Sequence, residues 1–284
     1  MVEVITGSTL SGKYEIVGEV GRGRSAVVYK AIDLASQRPV AIKMLENAMT
    51  VKDSALVRFE REAETASALE HPNIVKVYDF GVSDDLVPYV VMDYVTGMLL
   101  GTRVRVLDRV PVQAALPILI QICEGMAYAH DHDVIHRDLR PDNIFLVERA
   151  GQPELVQIVD FGVAKKLHDS RQKLTGPGEL LGTPDYMSPE QILGHSDLDA
   201  RSDIYSMGCL MYFVLSGQLP FVGSRIEILQ AQVSSEPRDL ADPSRGRHLP
   251  VEVRNIVNKA LKKYPADRHQ SMHELRDELK ACVK

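Results

Sequence analysis

A change of hydrophobic period near residues 95–97 constrains this chain more than any other feature. Before it, apolar residues come in short β-branched runs at 14–20, 27–32, 40–45, 74–80 and 89–94, separated by turns marked with glycine or proline. One segment breaks that pattern. Val57, Ala63, Ala66 and Leu69 recur at helical spacing, Asp53 or Ser54 can cap the start, and His71-Pro72 closes the run. After Gly97 the period becomes helical, at 112–132, 203–215, 224–234, 251–262 and 271–281. The expectation is an α+β, bilobal chain, with a small β-rich part carrying one helix and then a larger, mainly helical part. A cleft between two such parts is where a ligand is expected.

Composition narrows the class. The chain has 284 residues, 45% of them hydrophobic and 25% charged, enough for one large domain or two packed lobes and too apolar for extended disorder. A net charge of -6 argues against a general nucleic-acid binder. Cys123, Cys209 and Cys282 form no C-x-x-C pair, so neither a disulfide framework nor a zinc site is expected, and a reducing compartment is. The opening MVEVITGSTL lacks the basic and apolar regions of a signal peptide. The apolar run at 114–123 contains Pro117 and Gln121 and reads as too short and too polar for a membrane span.

Two glycine-rich segments suggest phosphate binding. Gly7, Gly12 and Lys13 have P-loop spacing, but Tyr14 stands where a hydroxyl is needed for magnesium, and a strand follows instead of a helix; this match is a decoy. Gly21, Arg22, Gly23, Arg24, Ser25 and Ala26 lie between two expected strands, where glycines let backbone N–H groups approach phosphate oxygens. Because strand follows here too, a dinucleotide fingerprint is excluded.

The remaining motifs decide the family. Val40-Ala41-Ile42-Lys43 ends a strand in lysine, and Glu62 lies in the helix that follows. His136-Arg137-Asp138-Leu139-Arg140-Pro141-Asp142-Asn143 follows a long helix; Asp160-Phe161-Gly162 follows a strand; Ser188-Pro189-Glu190 follows Gly182-Thr183. In this order, behind a glycine-rich hairpin, the motifs are highly specific, and the chain resembles eukaryotic-like (Hanks-type) serine/threonine protein kinases of the bacterial branch. The resemblance runs from Tyr14 to Ala281, with residues 1–13 as a flank, an N-lobe over 14–95 and a C-lobe over 96–281.

The resemblance implies ATP and Mg2+ as cofactors, with Mn2+ as the alternative ion, and protein serine or threonine hydroxyls as acceptors. It assigns Lys43 to the α- and β-phosphates, Glu62 to Lys43, Asp160 and Asn143 to the metal, and Asp138 to the acceptor hydroxyl. Val20, Gly21, Arg22, Gly23, Arg24, Ser25, Ala26, Val28 and Ala41 would lie over the nucleotide. Phe145 would lie below the adenine, Met92 would be the gatekeeper, and Asp93 to Val95 the hinge. Thr183 would contact the catalytic aspartate and Arg140. Asp203 would brace the catalytic loop from a core helix, and Glu190 and Arg268 would form a partly buried ion pair.

Two departures matter. Ala26 replaces the third glycine of the loop, a mild restriction. Arg140 replaces the usual lysine, keeping the charge but binding as a bulkier fork. Pro141 and Thr183 favour serine/threonine over tyrosine as acceptor. Arg137 implies a phosphate on the activation segment, with Thr175 first and Ser170 second as autophosphorylation sites. The resemblance also admits homodimerisation and a cytoplasmic location, either alone or as the cytosolic part of a longer membrane-anchored protein. The alternatives are a pseudokinase scaffold or nucleotide-sensing module, disfavoured because Lys43, Asp138 and Asp160 are all present, and a small-molecule phosphotransferase of related fold, which would lack the Gly-Thr and Pro-Glu segment.

Overall fold

The computed structural model describes residues 6–23, 26–45, 53–84, 86–161, 184–240 and 249–283, with backbone alone at 53–58 and 62. The chain divides into two compact units, one of residues up to Thr96, the other of Gly97–Phe161 and the stretch beyond 183.

The first unit is a six-stranded antiparallel sheet with a helix. Its strands are β1 (Thr9–Leu10), β2 (Tyr14–Arg22), β3 (Ala26–Asp33), β4 (Pro39–Leu45), β5 (Val77–Val82) and β6 (Pro88–Asp93), in the order β1-β2-β3-β4-β6-β5. Strict alternation sorts its side chains. Tyr14, Ile16, Val27, Tyr29, Ala31, Val40, Ile42, Met44, Tyr89 and Val91 share one buried cluster. Residues of the opposite register, Val28, Ala41, Lys43, Val90 and Met92, therefore share the other face. Helix α1 (Asp53–Ser67) buries Phe59, Ala63 and Ala66. The strand expected at 74–80 starts later, at Val77, because Ile74 and Val75 are buried in the turn that leads into it. Lys13 immediately precedes β2 and pairs with Asp79 at 3.0 Å, so the P-loop-like spacing indeed leads into a strand.

The second unit is mainly helical: α2 (Leu100–Leu107), α3 (Val112–Asp131), α4 (Pro189–Ile192), α5 (Ala200–Ser216), α6 (Arg225–Ser234), α7 (Val251–Ala260) and α8 (Met272–Ala281). A small sheet, β7 (Met98–Leu99), β8 (Ile144–Arg149) and β9 (Gln152–Ile158), completes it. Helix α5 is buried nearly all round, the mark of a central core helix. Asp199 caps its start, and Gly217, at φ 72, ends it in the left-handed conformation. Helix α3 corrects the sequence reading. The apolar run extends over 20 residues, long and apolar enough to cross a membrane by length and composition. Its Leu116, Leu119, Ile122, Cys123 and Met126 are instead buried within this unit. Gln121 explains its own presence in that run: its Oε1 accepts from Val156 N–H and its Nε2 donates to Glu154 O, which docks β9 onto the helix. Cys123 and Cys209 are buried free thiols, and burial pushes Cys209 up to about 12, so both act as small apolar side chains.

Candidate active site

The segment from His136 to Asn143 is wrapped around one buried carboxylate. Asp203 lies in the first turn of α5 and is fully buried. Its Oδ2 accepts from the His136 backbone N–H at 2.8 Å and from His130 Nε2 at 2.9 Å, and its Oδ1 accepts from the Arg137 N–H at 2.8 Å. Burial alone would raise this carboxyl; the bond and charge of His130, with those of His136, outweigh it and hold the group below its ordinary value.

Arg137 has φ 64, a strained conformation for a long side chain. Both of its backbone polar groups are captured: the N–H by Asp203, and the carbonyl by Gln191 Nε2 at 2.9 Å. Gln191 is also the partner of Ser188 in a capping box that starts α4. The short helix after the Pro-Glu motif is thus fastened to this loop by one amide.

Asp138 and Asn143 meet directly. Asn143 Nδ2 donates to the Asp138 backbone O at 2.9 Å and approaches its Oδ2 at 3.3 Å. Both contacts are to acceptors, which fixes the amide with nitrogen towards Asp138. The Asp138 N–H donates to His136 Nδ1, so His136 Nε2 carries the proton and donates to Val159 O at 3.0 Å. Burial lowers the pKa of His136, in keeping with this neutral ring. The Val159 N–H in turn donates to Asn143 O at 2.9 Å. Asp160 follows with φ 67, and the Phe161 ring packs against His136 at 4.7 Å between centroids. The neighbours of this second strained residue, Val159 and Phe161, are therefore both held against the loop.

Arg140 donates to Asp142 through Nη2, and Arg105 approaches the other oxygen of Asp142 at 3.7 Å. The guanidinium also lies close enough to the Pro184–Tyr186 turn for its charge to act on Asp185 and Tyr186, both raised chiefly by burial. Phe145 lies on β8, opposite Leu99 of β7 and Gln157 of β9. Glu190 and Arg268 form a buried, bidentate pair at 2.7 and 2.9 Å. The other Arg268 protons go to the carbonyls of Arg201, Lys262 and Lys263, so all five donors are used.

In the first unit Lys43 stands between Val28 and Val90 in register, and Ala41 between Lys30 and Met92. Asp93 ends β6 and accepts from Tyr78 OH. Val20 is 50% exposed. Gly21 and Gly23 have room: an added Cβ at Gly21 would meet nothing within 4 Å, and at Gly23 only Ala26 O at 3.6 Å. Neither packing nor a positive φ within the fold asks for glycine at these two positions. Arg22 pairs with Glu19.

Arg24, Ser25, Ser170, Thr175 and Thr183, and the side chain of Glu62, lie outside the described residues. Sequence reasoning missed His130 and Gln191. The Ser188-to-Gln191 capping-box spacing was a readable signal for the second; nothing local marks the first.

Comparison with known proteins accords with this geometry. The protein kinase domain family matches residues 14–279. The chain is 38% identical to the serine/threonine-protein kinase PknB of Mycolicibacterium smegmatis, over 95% of this chain and 43% of the relative. It is 39% identical to the probable serine/threonine-protein kinase SCO3848 of Streptomyces coelicolor, over 96% of this chain and 40% of the relative. It thus spans less than half the length of these curated relatives. Among solved structures, the PknI kinase domain of Mycobacterium tuberculosis superposes with a TM-score of 0.77 at 27% identity, covering 98% of this chain and 99% of that one.

Proposed function

The chain belongs to the protein kinase domain family, and on that premise we propose that it is a serine/threonine protein kinase, moving the γ-phosphoryl group of ATP onto protein serine and threonine hydroxyls. What carries this reading is the Asp138–Asn143 pair on a loop whose strained backbone is held by Asp203. Phosphoryl transfer asks a protein for position and charge more than for covalent chemistry.

In this reading Asp138 accepts a hydrogen bond from the acceptor hydroxyl, aims its oxygen and takes its proton. That oxygen bonds to the γ-phosphorus as the bond to the β–γ bridging oxygen breaks, and ADP leaves. Arg140 offers charge to the γ-phosphoryl group and Lys43 to the α- and β-phosphates, with Glu62 orienting Lys43. The open backbone at Gly21 and Gly23 lies against the phosphates, which gives these glycines the reason that the fold does not. Val20, Val28, Ala41, Met92, Asp93, Val95 and Phe145 hold the adenine. With the Asn143 nitrogen committed to Asp138, its oxygen and the Asp160 carboxylate are hard donors suited to magnesium, or manganese in its place. When bound, that ion neutralises phosphate charge.

The reading extends to a cytoplasmic site of action, to pairing of two copies, and to autophosphorylation at Thr175 or Ser170. The support for the last of these is Arg137, whose anchored backbone fixes where a guanidinium can meet a phosphate. Mass spectrometry of the active protein is expected to find phosphate on one of these two residues; an unmodified segment in active protein removes this part.

The main test is transfer from γ-labelled ATP with magnesium to a generic Ser/Thr substrate, beside Asp138→Asn. The wild type is expected to yield labelled phosphoserine or phosphothreonine, and the variant to lose about 10²–10⁴-fold in rate with its melting temperature kept. Equal rates in the two proteins would remove Asp138 from the chemistry and this function with it.

A further inference from the structure

Gln232 of α6 is a fully buried amide far in sequence from any motif, yet both bonds from its amide nitrogen go to the turn that follows Thr183. Its Nε2 donates to Pro184 O at 3.1 Å and to Asp185 O at 2.8 Å. Its Oε1 accepts from Tyr205 OH at 2.6 Å. Lys263 Nζ donates to that same hydroxyl at 3.0 Å and to the Gln232 backbone O at 2.9 Å. The next carbonyl of the turn, Tyr186 O, accepts from Ser206 Oγ at 2.7 Å. Three successive carbonyls of the Pro184–Tyr186 turn are thus captured by side chains of α5 and α6.

A turn on a protein surface can give its carbonyls to water at little cost. Here a buried amide is oriented by a tyrosine, and the tyrosine by a lysine, to fasten one short turn. The turn follows Thr183 directly and lies beside Arg140, two residues from Asp138. Gln191, five residues past the turn, donates to the Arg137 carbonyl at 2.9 Å, so the chain that carries the turn is also tied to the residue before Asp138. We propose that Gln232 is a positioning residue for the acceptor: oriented by Tyr205 and Lys263, its amide fixes the Pro184–Tyr186 turn and so the path by which a peptide hydroxyl reaches Asp138. This rests on the kinase reading above, and it assigns Gln232 no contact with the nucleotide.

The test is steady-state kinetics of Gln232→Leu with a peptide substrate and, separately, with water as the only acceptor. Leucine matches the size and removes every bond. The peptide KM is expected to rise about tenfold, while the KM for ATP and the slow hydrolysis of ATP stay within about twofold of wild type. Gln232→Glu keeps the oxygen for Tyr205 but offers the carbonyls no donor, and is expected not to restore the peptide KM. An unchanged peptide KM overturns the inference, as does a parallel fall in peptide transfer and hydrolysis, which would mark a purely structural residue. If Gln232→Leu shows no cooperative melt, Tyr205→Phe decides: losing only the hydroxyl, it is expected to raise the peptide KM about threefold, and no rise overturns the inference. A folded wild-type protein that labels no peptide at all would instead remove the kinase reading itself.

Discussion

Residues 20–23 of the first unit lie exposed at the end of a β-ribbon, whereas residues 136–143 of the second are wrapped around a buried carboxylate. In the ribbon, Gly21 and Gly23 meet almost nothing that a methyl group would disturb, and the nearest ion pair, Arg22 to Glu19, is local and exposed. In the loop, a positive φ at Arg137 is held through both backbone groups, and Asp138, Asn143, His136 and Val159 bind one another in a closed ring of contacts. A backbone that is to lie against phosphate is left bare, so that its N–H groups can be given to the ligand. A carboxylate that must point at one hydroxyl is built on strain, fixed by buried partners.

The largest effect should come from removing the centre of the second device. Asp203→Ala leaves the N–H groups of His136 and Arg137 and the ring of His130 buried without their acceptor. A loss of about 3–5 kcal/mol in urea unfolding is expected, with phosphotransfer lost as well. A loss under about 1 kcal/mol would break the comparison, because the strain would then need no anchor.

Glycine substitutions sharpen it from the other side. Gly21→Ala should leave stability within about 0.5 kcal/mol, since the Cβ finds open space, and raise the KM for ATP about 3–10-fold. Gly217→Ala should do the reverse, costing at least about 2 kcal/mol, because φ is 72 and the new Cβ would sit 1.7 Å from Asp108 O. Its KM for ATP in the folded fraction should not move. Thermal melts paired with ATP titrations read both, and a Gly21→Ala protein that is unstable but binds ATP normally would reverse the assignment.

The contrast also explains what the sequence could reveal. Strands β2 and β3 were legible because burial alternates along them, and β4 and β6 because they are short, β-branched apolar runs bounded by turn residues. Strand β8 was not: Ile144 to Val147 is a short apolar run directly behind Pro141-Asp142-Asn143, with no alternation to set its period. Helix α2 was missed because it starts without a side-chain cap and buries only Leu100, Gly101 and Val104. The residues of the loop were legible as a motif of eight neighbours. Its fasteners were not: the Ser188-to-Gln191 spacing marks a helix cap but not the bond of Gln191 to Arg137, and nothing local ties His130 to Asp203.

Lys263 offers the finest test, because among the described residues it puts a charge into the anchored region with no carboxylate bonded to it. Among the described residues its ammonium meets two backbone carbonyls, the Tyr205 hydroxyl and the faces of Phe221 and Tyr205. Burial lowers its pKa to about 8; Cys209 and Glu236 act to raise it and Arg268 to lower it, none strongly enough to reverse the direction. Between about pH 8 and the ordinary lysine value near 10.5 the unfolded chain therefore binds the proton that the folded chain has released, so this group makes stability rise with pH across that window. Below it both states are charged and the burial penalty is felt in full. Lys263→Met has no such titration, and the Cys209 thiol, on which the Lys263 charge acts, titrates only near 12 in the folded protein, outside this range. The wild-type melting temperature is thus expected to gain roughly 1–3 °C on that of Lys263→Met as pH goes from 7.5 to 10. A difference that stays flat would mean that the ammonium keeps its ordinary pKa and is as well solvated as a surface lysine. The turn would then rest on Gln232 and Ser206 alone, and the second device would be simpler than its hydrogen bonds suggest.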